Sequence, residues 1–351
     1  MGRYILRRLV YLMVVLLVVS AITFGLMHAV PGGPFDREKA VPPEIMANLN
    51  ERYHLDQPLA VQYGQYLYAV MIPHFTFTPP TNSLQDDFLI NINVGSLWIR
   101  WMNFGPSYTS RSRTVNDIFR DQLPISAQLG VLALLVAIII GMPLGILAAL
   151  KQNSIFDYVG MSIAIFGVSV PVIVLGPLLV WIFGVELKWL PPTGWGAQPP
   201  FLLGFLPNPI DLEFFKYALM PSVALGLGSS AIIARLTRAS LLQTIREDYI
   251  RTARAKGLME RLVITRHALK NSLIPVITIL GPLFAALVTG TFVTELIFGI
   301  PGMGKYFVTS ITNRDYPVIM GTILLYVVFL VIANLIVDVM YAYLDPRIRY
   351  D

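Results

Sequence analysis

Six long, strongly apolar stretches of this chain, none of them containing Asp, Glu, Lys or Arg, are Leu9–Met27, Leu123–Leu150, Tyr158–Val185, Tyr217–Ala234, Asn271–Thr294 and Tyr316–Val337. A helix rises about 1.5 Å per residue, so about 20 apolar residues cross a hydrocarbon core of about 30 Å. Every one of the six runs is about long enough. Pro143, Pro171, Pro177, Pro221, Pro275 and Pro282 lie inside them. In water those prolines would argue against helices. In a membrane bundle, neighbouring helices and hydroxyls satisfy the carbonyls that proline frees. The pattern predicts an all-α integral membrane fold with six transmembrane helices. Residues 1–122 would carry the first helix and an external segment. Residues 123–351 would carry a core of five more helices, with a polar loop at 243–270.

The segments between the runs are less regular. Pro31-Gly32-Gly33-Pro34 is a strong turn signal after the first run. Glu44–Tyr53 and Gln57–Val70 read as short helices, the second rich in tyrosine suited to a membrane surface. Residues 72–102 show no clean period and are expected to be irregular. The stretch 190–216 is rich in Pro and aromatic residues, which suits interfacial anchoring or an external docking surface. The first run follows Arg3, Arg7 and Arg8 as a signal peptide would. It is too long for a signal h-region and no small-x-small cleavage site follows, so it reads as an uncleaved span.

Composition agrees. Of 351 residues, 55% are hydrophobic and 13% charged, against about 25% charged in soluble domains. The placement of Lys and Arg sets the orientation. Arg3, Arg7 and Arg8 put the N-terminus in the cytoplasm, and six spans return the C-terminus there, beside Arg347 and Arg349. The segment between the fourth and fifth runs is then cytoplasmic too, and it carries Arg246, Arg251, Arg254, Lys256, Arg261, Arg266 and Lys270.

That basic segment is the most informative stretch. Residues 248–256 favour helix, Gly257 suits a helix end because it tolerates the left-handed conformation, and Leu258, Leu262 and Leu269 recur at helical spacing. The result is a compact amphipathic elbow joined to the fifth run. It suits docking against an acidic groove of another protein, or equally a loop that fixes topology and touches anionic lipid heads. There is no cysteine, and none of the four histidines (His28, His54, His74, His267) lies within an apolar run. No metal site and no intramembrane enzyme chemistry is therefore expected. A Gly-x-x-x-x-Gly-Lys-Ser/Thr phosphate loop is also missing, so energy must come from a partner or an ion gradient. Gradient-driven carriers place ionisable groups at mid-membrane, and these runs have none. Glu295 and Asp338 flank the runs. Asp338 suits an ion pair with a cytoplasmic Arg, and Glu295 suits an outer gate or an interfacial cap. Candidates for an uncharged substrate path are Ser126, Gln128, Ser162, Ser169, Ser222, Ser229, Ser230, Thr278 and Thr289. Small polar residues also pack membrane helices, as Gly141-x-x-x-Gly145 would.

The segment Arg251-Thr-Ala-Arg-Ala-Lys-Gly257 resembles the coupling loop of binding-protein-dependent ABC importer permeases, where a Glu-Ala-Ala-three residues-Gly pattern precedes the penultimate span of the core. It departs from that pattern at the Glu and first Ala positions. With Arg266-His-Ala-Leu-Lys-Asn271 and Pro275 it resembles the B-type subunit of the peptide and oligopeptide branch. Tyr53–Pro58, Phe104–Tyr108, Ala148–Asn153 with Asp157-Tyr158, Gly299–Gly304, Asn313–Tyr316 and Asp345–Arg349 extend the resemblance along the chain. Parts of 72–102 and 196–214 look like insertions. The resemblance implies a type I ABC importer permease fold in the bacterial inner membrane. It implies a second homologous permease subunit, two ABC ATPase subunits that hold ATP and Mg, an extracytoplasmic substrate-binding protein and a peptide substrate. This chain itself would then hold no cofactor and would not be an enzyme. A metal chelate, haem or saccharide is the alternative cargo within the branch. Arg251, Thr252, Ala253, Arg254, Lys256, Gly257 and Leu258 would couple to the ATPase. No nucleic-acid partner is expected.

Overall fold

The computed structural model describes residues 2–35, 42–80, 83–110, 112–289 and 291–344. Arg347, Arg349 and the Asp345–Arg349 motif lie outside the described residues, as does the side chain of Thr289.

Helix α1 (Gly2–Ala29) is followed by α2 (Pro43–Arg52), α3 (Leu59–Met71) and three strands, β1 (His74–Thr76), β2 (Ile90–Val94) and β3 (Leu97–Trp101). Next come α4 (Val115–Leu150), α5 (Ile155–Ser169), α6 (Val172–Leu179, continued by π-wound turns over Val180–Glu186) and α7 (Leu212–Ile245). The chain then forms α8 (Asp248–Ala255), α9 (Glu260–Leu262, continued as π turns over Val263–Ala268) and α10 (Leu269–Ser272). It ends with α11 (Ile274–Thr289), α12 (Phe292–Phe298), α13 (Gly304–Asn313) and α14 (Tyr316–Leu344).

Among the described residues four helices, α1, α4, α7 and α14, are long and apolar enough to cross a membrane, and two bent pairs raise the number to six if each is one span. Proline acts differently at different positions. Pro221 and Pro282 sit within α7 and α11. At Val170-Pro171 the chain instead turns by 100° between α5 and α6. Val170 is extended (φ −92°, ψ 109°), the conformation a following proline favours, and Pro171 caps the new helix. The apolar run 158–185 is thus two helices, where the sequence predicts one. Pro275 lies in the first turn of α11, just past a 48° bend, where its missing N–H costs little.

The fold is mostly helical but not all-α. Within the stretch expected to be irregular, β1, β3 and β2 form an antiparallel sheet in that order. Ile90-Asn-Ile-Asn-Val94 alternates with period two, and Gly95 (φ +70°) turns the hairpin into Leu97–Trp101. Arg100 is buried on β3, where its guanidinium donates to the Asp86 carbonyl (2.6 Å).

The chain forms two compact units. One comprises residues 11–124 and 305–327. In it Gly321 of α14 lets Val115, Phe119 and Phe104 close in, since a Cβ there would lie 2.9 Å from Val115 Cγ1. Asp315, just before α14, accepts the Ser107 hydroxyl and the Tyr108 and Thr109 amides (3.1 Å each).

The other unit comprises residues 1–10, 125–304 and 328–351. Its core is helix against helix, with α7 central. Gly141 and Gly145 of α4 meet the α7 backbone so closely that added Cβ atoms would fall 2.4 Å from the Ser230 carbonyl and 2.5 Å from that of Ala234. Only glycine permits such an approach, and it lets packing attraction act between helices that lipid does not drive together. Arg8 of α1 and Asp338 of α14 form an ion pair within this unit.

Candidate functional site

The site is built from the end of α7 outward. Asp211 caps the α7 N-terminus, accepting from the Phe214 amide at 2.8 Å. At the far end the chain turns at Arg246 and Glu247 and enters α8. Asp248 lies in the first turn of α8 and Arg254 in the last, each at the end its charge favours. Ile250 and Ala253, three apart, are the buried residues of α8. They pack with Val263 and Ala268 of the π-wound segment, with Leu241 of α7 and with Ala149 of α4. Leu258 lies half-buried against the same cluster. Burying a side chain such as Ile250 is worth about 1.5–3 kcal/mol, so the elbow is rooted on both long helices.

Between α8 and α9, Gly257 adopts φ +77°, and open space surrounds the position of a Cβ. Glycine is required there by backbone conformation, with no crowding involved. Arg254 spans the break, donating from Nε and Nη2 to the Glu260 carboxylate at 3.0 and 2.6 Å. Both side chains are solvent-accessible, so the pair contributes at most about 1 kcal/mol. Its effect is to fix the angle between the two arms. Asn271 donates to the Tyr249 hydroxyl at 2.9 Å, tying α10 back to α8. Arg251, Thr252, Lys256 and Gly257 form the exposed face, Arg251 paired to Asp248 at 3.3 Å. The candidates therefore divide: Ala253 and Leu258 turn toward the core, and the others are exposed, Arg254 with its guanidinium taken up by Glu260. Ala253 is rooted in the core, and Arg254 braces the elbow internally.

A further contact near the elbow was not singled out from sequence. Asp157 at the start of α5 is buried and takes a two-pronged hydrogen bond from Arg238 of α7, 2.7 Å at each oxygen. It also accepts the Asn153 amide at 3.0 Å. This arrangement supplies the donors that a buried carboxylate needs. In the sequence Asp157 reads only as part of a motif, and nothing there singles out Arg238.

The substrate-path candidates are scattered. Ser126 and Gln128 are buried on α4. Gln128 accepts from the Trp195 indole and donates to the Phe205 carbonyl, each at 2.8 Å. Ser222, Ser229 and Ser230 are buried on α7, where Ser230 donates to the Leu227 carbonyl (2.7 Å) and the Ser222 hydroxyl has no partner among the described residues. Ser162, Ser169 and Thr278 lie on exposed helix faces, the last two bonded to their own helix backbone.

Ser126 belongs to a lock around Glu295. It donates to the Glu295 carboxylate at 2.6 Å and accepts the Met303 amide at 2.8 Å. The same carboxylate accepts the Thr291 hydroxyl and the Gly304 amide. Glu295 is 2% exposed and serves as the internal anchor of the loop after α12. That loop opens at Gly299 in the left-handed conformation (φ +61°). A Cβ on Gly302 would lie 2.2 Å from Glu295 Oε1, and one on Gly304 would lie 2.6 Å from Phe292 Cα. The spacing Gly299-Ile-Pro-Gly-Met-Gly304 thus has a steric cause.

Long apolar helices, some broken near proline, define a multi-pass membrane protein. The chain belongs to the family of binding-protein-dependent transport system inner membrane components, which it matches over residues 141–350, with the corresponding N-terminal family region matching residues 1–82. It is 42% identical to the dipeptide transport system permease protein DppB of Bacillus subtilis over 99% of this chain and 98% of that protein. It is 40% identical to the oligopeptide transport system permease protein OppB of Salmonella typhimurium, and 39% to that of Escherichia coli K12, over the full length of each.

Proposed function

We propose that this chain is one permease subunit of an ATP-driven peptide importer in the bacterial inner membrane, with six spans and both termini cytoplasmic. End-to-end similarity to both dipeptide and oligopeptide permeases supports a peptide cargo over a metal chelate, haem or saccharide. A second homologous permease subunit would complete the pore. Two ABC ATPases would bind ATP and Mg, and an extracytoplasmic binding protein would deliver peptide. The observation that carries the mechanism is the rooting of α8 on α7 and α4 through Ile250, Ala253 and Val263. A lever must be stiff to transmit motion between two packed states. In this reading Arg251, Thr252, Lys256 and Gly257 meet the ATPase. Ala253, Arg254 and Leu258 hold the lever's shape. Ser126, Gln128, Ser162, Ser169, Ser222, Ser229, Ser230, Thr278 and Thr289 remain candidates for the uncharged path.

The test is uptake of labelled peptide by proteoliposomes containing the whole complex. Gly257→Val forces a β-branched residue into the left-handed region, whereas Gly257→Asn tolerates it. The asparagine variant is expected to keep most uptake. The valine variant should hydrolyse ATP with uptake reduced about tenfold, the effect of about 1.4 kcal/mol of lost coupling. Equal uptake by the two variants would remove Gly257 from the coupling device. No peptide uptake by the wild-type complex, with another solute transported instead, would overturn the assigned cargo.

A further inference from the structure

A cavity of about 400 Å³ opens within the unit of residues 11–124 and 305–327, a size typical of small-ligand sites. Its walls come from the last turns of α1 (Phe24, Met27, His28), from α2 and α3, and from the first turn of α14 (Tyr316, Pro317, Met320). Four tyrosines line it, Tyr53, Tyr66, Tyr108 and Tyr316, together with Arg52 and the amides of Gln62, Gln65 and Asn103. Among the described residues no carboxylate does. Arg52 stands 5.8 Å from the Tyr53 ring centre and has no carboxylate partner among the described residues. The Tyr66 hydroxyl is buried and has no hydrogen-bond partner among them either. Burial above all raises the Tyr66 and Tyr108 hydroxyls well beyond the usual phenol range, so both stay protonated at neutral pH. His28 uses Nδ1 on the Phe24 carbonyl (2.8 Å) and packs its ring between Phe24 and Tyr316.

Two facts select the occupant. Among the described residues the lining offers a cation, Arg52, and no carboxylate, the complement of a phosphate, while Asp315 behind Tyr108 is taken up by the Ser107 hydroxyl and the Tyr108 and Thr109 amides. The cavity also lies where two membrane-length helices end, the level at which hydrocarbon gives way to headgroups and where tyrosine concentrates. We propose that this cavity binds the headgroup of an anionic phospholipid, with Arg52 on the phosphate and the tyrosine walls against the glycerol and upper acyl carbons. The bound lipid would tie α1, α3 and α14 together at one membrane face.

The probe is phosphatidylglycerol bearing a photoreactive headgroup, added to the full-length chain in detergent. Labelling is expected at residues 52–69 and 316–320, and unlabelled phosphatidylglycerol should compete it away. Glycerol phosphate should not, since it lacks the acyl chains. Arg52→Gln should reduce labelling about tenfold, the loss of one strong charge-assisted contact, and Arg52→Lys should restore most of it. Labelling of wild type elsewhere along the apolar helices overturns the proposal, whatever the variants do. So does labelling of Arg52→Gln at the wild-type level. Displacement by glycerol phosphate would assign the site to a free anion, and displacement by a short peptide would assign it to cargo; either result overturns the lipid.

Discussion

Gly257 and Gly302 are glycines for different reasons, and substitution separates them. At Gly257 the backbone is left-handed in open space. At Gly302 the limit is room, because the Glu295 carboxylate stands 2.2 Å from a would-be Cβ. That carboxylate is held by Ser126, Thr291 and Gly304 and has nowhere to swing. Gly302→Ala should therefore cost about 1–3 kcal/mol, the usual penalty for overpacking, read as a lowered melting temperature in detergent. Gly25→Ala is the control, since its Cβ meets nothing within 4 Å. A Gly302→Ala protein that melts with wild type would show that the loop yields. The crowding at Gly302 was not legible in the sequence beyond a motif of closely spaced glycines. Glu295 reads there as a gate or cap because Ser126, its partner, lies 169 positions away. A linear pattern carries no information on pairs so distant.

At the scale of elements, the elbow rests on few side chains. Ile250 is fully buried at its centre. Ile250→Ala should loosen α8 by about 2–5 kcal/mol. Trypsin should then cut faster after Arg251, Arg254 and Lys256, which are already exposed on the same element. Unchanged cleavage kinetics would mean that α8 does not depend on this root. The helix break at Gly257 is legible because one residue type supplies the conformation. The apolar helices are legible because a run of about 20 residues that is strongly apolar as well as charge-free has few other uses. The sheet is not, because its strands span only three to five residues and only Ile90–Val94 shows clear alternation. The 100° turn at Val170-Pro171 is hidden for another reason. The same residue, proline, sits quietly inside α7 and α11, and what decides between a tolerated kink and a turn is the packing around it, which composition does not record.

For the whole molecule, the bend at Val170-Pro171 controls the topology by parity. With the N-terminus inside, α1 leads out and α4 leads back. If α5 and α6 together cross once, α7 returns to the cytoplasm and the elbow faces the ATPases. If that pair instead dips in and comes back, α7 runs the opposite way and the elbow emerges outside, carrying Arg246, Arg251, Arg254, Lys256, Arg261, Arg266 and Lys270 with it. Seven basic residues close to span ends weigh strongly against that exit. The chain has no cysteine, so single introduced thiols report without background. Gln152→Cys and Thr252→Cys should resist a membrane-impermeant maleimide in intact cells and react in inverted vesicles. Leu187→Cys, on the far side of the bend and exposed, should react in intact cells. Labelling of positions 152 and 187 from one face would make the bent pair re-entrant. Labelling of position 252 from outside would separate the elbow from any cytoplasmic ATPase, and the lever would then have nothing to push against.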